Sequence, residues 1–90
     1  MQLFHYLDML MDGRKEISSI DQYVIDFVRK LRDTNKLSQE EIGNIIGVTR
    51  TYITNVESTK HPAKYNLSHI NLLADYFGLS PRDFLPGKVL

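Results

Sequence analysis

Apolar residues recur at intervals of three and four along nearly the whole chain, and no segment alternates with period two. That spacing gathers side chains on one face of a helix, so an all-α fold is expected. From Met1, residues Leu3, Phe4, Leu7, Leu10 and Met11 form one broad apolar face, and Asp12-Gly13 supplies a stop. This amphipathic helix over 1–12 has three readings that stay open: a cover for the chain's own core, a dimer interface, or a tail. The next stripe is Val24, Val28 and Leu31, widened by Ile20, Ile25 and Phe27. It predicts a helix over 21–34, capped by Ser18 or Ser19 and closed by Asn35-Lys36, with Asn35 in the left-handed conformation.

Three shorter helices and a final turn of helix follow. Ser38 caps a two-turn helix, and Glu41, three residues on, completes a capping box. Ile42, Ile45 and Ile46 face its core side, and Gly47 ends it. Thr49 caps the next helix, over 50–58. A polar connection, 58–65, leads to Asn66, the cap of a helix over 67–77 with Leu67, Ile70, Leu73, Ala74 and Phe77 facing inward. Gly78 closes that helix. Ser80-Pro81 is a cap with proline at the first helical position, opening a short helix to Leu85 before Pro86-Gly87. The expected architecture is five helices plus the N-terminal amphipathic one. Its divisions are an extension over 1–17, a domain over 18–86 and a tail over 87–90.

Charge and composition narrow the function. The 90 residues hold 11 basic and 11 acidic side chains and no cysteine. Zero net charge argues against a non-specific nucleic-acid coat, which needs a strongly basic chain. Between Arg29 and Lys64, however, seven basic residues face four acidic ones, a surplus of three positive charges. A basic middle in a neutral chain suits salt-sensitive DNA binding of modest strength. Absence of cysteine, of a signal peptide and of any run long enough to span a bilayer points to a cytoplasmic setting without membrane partners.

Enzyme chemistry finds no support. His5, His61 and His69 lie on different elements without ligand spacing, so neither a metal nor another cofactor is expected. Glu40-Glu41 is a first-turn pair that suits the helix dipole. Ser38 and Thr49 are caps with no histidine placed to activate them.

The helix over 50–58 is the chemically specific element. Arg50, Thr51, Thr54 and Asn55 fall on one face, while Ile53 and Val56 fall on the other. Arginine is the commonest bidentate reader of guanine, and asparagine suits adenine. From Leu31-Arg32 through Lys36-Leu37-Ser38-Gln39 to Glu57, the chain resembles the lambda-repressor-like helix-turn-helix family, the Xre, Cro and phage-repressor group. The likeness extends from Ile20 to Leu85, including Phe77-Gly78-Leu79-Ser80-Pro81-Arg82-Asp83-Phe84-Leu85. It implies base contacts from Arg50, Thr51, Asn55 and Thr54, and backbone contacts from Gln39, Thr49, Lys60 and His61. For Tyr52 it implies phosphate or sugar. It also implies a structural salt bridge between Arg32 and Glu57. Two departures stand out: Ser58-Thr59 replaces the Asn-Gly common after the motif glutamate, and Gly43 stands where alanine usually packs.

The function expected is a sequence-specific DNA-binding transcriptional regulator, a homodimeric repressor on double-stranded DNA with an inverted-repeat operator. Its interface is expected from the helix over 1–12 or from residues 84–90. The alternative is an antitoxin-like or adaptor module that binds a protein partner through that N-terminal helix.

Overall fold

The computed structural model describes residues 16–90. The helix expected over 1–12 lies outside them. The described elements are α1 (Ser19–Thr34), α2 (Gln39–Ile46), α3 (Arg50–Glu57), α4 (Leu67–Phe77) and a 3-10 turn, Pro81–Phe84. No strand occurs among the described residues.

Local chemistry sets most of these boundaries. Ser18 caps α1, its Oγ accepting from the Asp21 amide at 3.1 Å, so the helix opens two residues before the expected start. At the other end it is Lys36, not Asn35, that turns left-handed, with φ of 57° against −91°. The reason is a Schellman closure. The Leu37 amide reaches back to the Arg32 carbonyl at 2.9 Å, and the Lys36 amide to Asp33 at 3.1 Å. Asn35 instead spends its side chain on the Leu31 carbonyl, 2.8 Å away.

Capping at α2 follows the expected pattern. The Ser38 hydroxyl accepts from the Glu41 amide at 3.0 Å, and the Glu41 carboxylate accepts from the Ser38 amide at 2.8 Å. Gly47, at φ 76°, ends the helix. Gly43 is what allows the turn to fold back so tightly. A Cβ there would lie 2.7 Å from the Val48 carbonyl oxygen and 3.3 Å from that of Thr49. Any side chain would push the turn, and α3 with it, away from α2.

The core draws one apolar stripe from every element: Val24, Ile25 and Val28; Ile42 and Ile46; Ile53 and Val56; Ile70, Leu73 and Ala74; then Tyr65 and Phe84. Phe84 is fully buried, edge-on to Phe27 with ring centroids 4.9 Å apart. Burying such a ring contributes about 1.5–3 kcal/mol, enough to hold a four-residue turn against the bundle. The short helix expected here is a 3-10 turn that ends at Phe84. Leu67, expected to face inward, is 82 % exposed. As the first residue of α4 it extends beyond the core, whereas Ile70, one turn on, reaches it.

Candidate nucleic-acid interface

Thr49 opens α3, its Oγ1 accepting from the Tyr52 amide at 3.1 Å. Ile53 and Val56 are fully buried, and this fixes the rotation of the helix. Arg50, Thr51 and Thr54 are thereby exposed on the opposite side, with Asn55 half-buried beside them. The expected base-facing residues thus share one surface, and the apolar back of the helix holds it rigidly.

One carboxylate ties the motif together. Glu57, with its side chain 5 % exposed, accepts from Arg32 Nε on Oε2 at 2.8 Å and from Arg32 Nη2 on Oε1 at 2.9 Å. Arg32 Nη1 also donates to the Leu37 carbonyl at 3.0 Å. Hydrogen bonding to Glu57 raises the Arg32 pKa above its ordinary value. Gln39 joins the same carboxylate, its Nε2 donating to Oε1 at 3.0 Å. Because an ionised carboxylate only accepts, the Gln39 amide must present its nitrogen there and turn its oxygen the other way. That oxygen accepts from Thr54 Oγ1 at 2.8 Å. The first residue of α2 and the exposed face of α3 are therefore held in one register.

The hydroxyls of Thr54 and Tyr52, both expected contact residues, have partners in the fold. The Thr54 hydroxyl lies against Gln39 and, at 3.1 Å, the Arg50 carbonyl. Its single proton is committed inside the motif. The Tyr52 hydroxyl donates to the Lys64 carbonyl. That proton is not free for a phosphate or sugar, so Tyr52 pins the following loop to α3.

The loop turns without glycine by using side chains. Ser58 Oγ accepts from the Lys60 amide at 3.1 Å, and His61 Nδ1 accepts from the Ala63 amide at 3.1 Å. Both are local turns in which a side chain replaces a backbone acceptor. Lys60 and His61 are exposed on it. Lys64 pairs with Asp21 at 3.4 Å.

Beneath the loop lies an aromatic cluster that spacing did not reveal. The His69 ring stands 5.7 Å from Tyr52 and 6.1 Å from Tyr65. Its Nδ1 accepts from the Asn66 amide at 3.1 Å, while Asn66 Oδ1 accepts from the His69 amide at 2.9 Å. Burial lowers the His69 pKa below its ordinary value. Tyr65 is buried with no hydrogen-bond partner for its hydroxyl among the described residues. Burial first, and then the neighbouring Glu57 charge, raise its pKa. No group of three or more potential metal ligands occurs among the described residues. No helix among them is long and apolar enough to cross a membrane.

This arrangement is a helix-turn-helix, with α2 and α3 meeting across Gly43 and Gly47. A helix-turn-helix family model matches residues 28–84, more than half of the chain. The chain belongs to the lambda-repressor-like helix-turn-helix family. No curated protein and no solved structure matches it.

Proposed function

We propose that this DNA-binding regulator is a homodimeric repressor that reads an inverted-repeat operator through α3. The observation that carries this reading is the two-sidedness of α3. Ile53 and Val56 are locked in the core, while Arg50, Thr51 and Thr54 project into solvent from a helix short enough to lie in a major groove. Arg50 supplies the bidentate contact to guanine, Asn55 a contact to adenine, and Thr51 a hydroxyl. Thr54 contributes its methyl group, which suits the methyl of thymine.

Gln39 has one amide hydrogen beyond the one given to Glu57, and it lies at the N-terminus of α2, where a phosphate is favoured. Thr49, Lys60 and His61 complete the backbone contacts that set register. One such unit reads a few base pairs, so useful specificity requires two, with half-sites roughly 34 Å apart. The extension over 1–17 and the tail over 87–90 flank the DNA-binding domain over 18–86, and the dimer interface is supplied by residues 1–12 or by residues 84–90. Hydroxyl-radical footprinting on a bound duplex tests this reading. Two protected patches on one side of the duplex, one helical turn apart, support a dimer; one patch refutes it.

A further inference from the structure

Lys36 is the one non-glycine residue with positive φ among those described. Left-handed backbone crowds the Cβ of an L-residue against the following carbonyl, so helix ends of this kind favour glycine. This chain uses glycine for the same purpose at Gly47 and Gly78, with φ of 76° and 69°. At the end of α1 it uses lysine. The Lys36 side chain is exposed and has no hydrogen bond or ion pair with the described residues. A charge near the end of α1 gains from the helix dipole, but Arg32 already occupies the last turn. Among the described residues, therefore, no side-chain partner accounts for a lysine in this conformation.

Its position suggests what does. The segment after Lys36 is strapped to the recognition helix. Arg32, which is bonded to Glu57, also holds the Leu37 carbonyl at 3.0 Å, and Gln39 is bonded to both Glu57 and Thr54. Lys36 thus immediately precedes the residues, Leu37 and Gln39, through which this segment is tied to Arg32, Glu57 and Thr54. Arg50 and Lys60 are likewise exposed and have no acidic partner within 4.0 Å among the described residues.

We propose that Lys36 is a DNA-backbone contact, its ammonium pairing with a phosphate next to the one taken by Gln39. The inference rests on the reading of α3 as a major-groove helix. It adds to that interface a residue that supplies affinity without sequence information.

The test is anisotropy titration of a duplex enriched by the wild-type chain, from about 50 to about 200 mM salt, with Lys36→Asn, Lys36→Arg and Arg50→Ala alongside. Asparagine tolerates the left-handed backbone, so Lys36→Asn removes the charge without harming the turn. It is expected to weaken binding roughly three- to tenfold, equally on matched and mismatched duplexes, and to make the salt slope shallower by about 0.9. Its melting temperature stays level, and Lys36→Arg keeps both affinity and slope. Wild-type affinity and slope in Lys36→Asn overturn the proposal, provided Arg50→Ala loses binding. If the wild-type chain binds no better than Arg50→Ala, the major-groove reading falls and Lys36 falls with it.

Discussion

Gln39 and Arg32 share a single acceptor: Glu57 Oε1 takes a hydrogen bond from Gln39 Nε2 at 3.0 Å and from Arg32 Nη2 at 2.9 Å. A structural ion pair and the leading edge of the candidate interface are therefore one network. Arg32→Ala strands the Glu57 charge, whose side chain is only 5 % exposed. Removing one partner of such a pair costs about 3–5 kcal/mol. For a domain of this size the melting temperature should fall by more than about 10 °C. Thermal unfolding followed by circular dichroism checks this, and an unchanged transition would refute it. The double variant Arg32→Met/Glu57→Leu should recover much of the loss, since neither charge is then stranded.

Gly43 sets two effects against each other. Alanine is a better helix former than glycine by about 1 kcal/mol. Against this, its Cβ would sit 2.7 Å from the Val48 carbonyl oxygen, a backbone atom that moves only if the turn moves. Overpacking of that kind costs about 1–3 kcal/mol, so Gly43→Ala should be net destabilising. DNA binding should weaken as well, because α3 is displaced from α2. A rise in stability under urea denaturation contradicts this account of the turn.

Tyr65→Phe runs the other way. Its hydroxyl is buried with no partner among the described residues, and leaving such a group unpaired costs about 1–3 kcal/mol. Deleting it keeps the ring that packs on the core and on His69. Stability should hold or rise in equilibrium denaturation. A marked loss means that the hydroxyl has a partner.

His69 gives the domain a pH dependence of definite sign. Burial lowers its folded pKa below the ordinary value of 6.5. The unfolded chain therefore takes up the proton first, and stability declines as pH falls from above 6.5 through the folded value. Protonation also removes the Nδ1 lone pair that caps α4 through the Asn66 amide. His69→Gln keeps a capping acceptor at that position and has no titrating group. Its stability should vary less than wild type between about pH 7.5 and pH 5.5. Parallel curves for the two proteins refute this assignment.

What the sequence disclosed and what it hid divide along a physical line. Ser38, Glu41, Gly47 and Thr49 were legible because caps and turns depend on residues three or four positions apart. The Asn35–Lys36 boundary slipped by one residue because both can end a helix, and the back-reaching Leu37 amide decides between them. Leu67 departs from the expected inward face because helical spacing gives direction but not reach, and at the first position of α4 it lies beyond the core. Arg32 and Glu57 are 25 positions apart, so only the family resemblance related them. The links from Thr54 to Gln39 and from Tyr52 to Lys64 had no sequence signal, since they arise only after the helices pack.

The proposed reading of DNA sequence by α3 turns on Arg50. Selection of the full chain against randomised duplex DNA, in parallel with Arg50→Ala, tests it most directly. The wild-type chain should enrich an inverted repeat, and the variant should lose preference at one symmetric base position. Enrichment unchanged by the substitution, or no enrichment even at low salt, would contradict it.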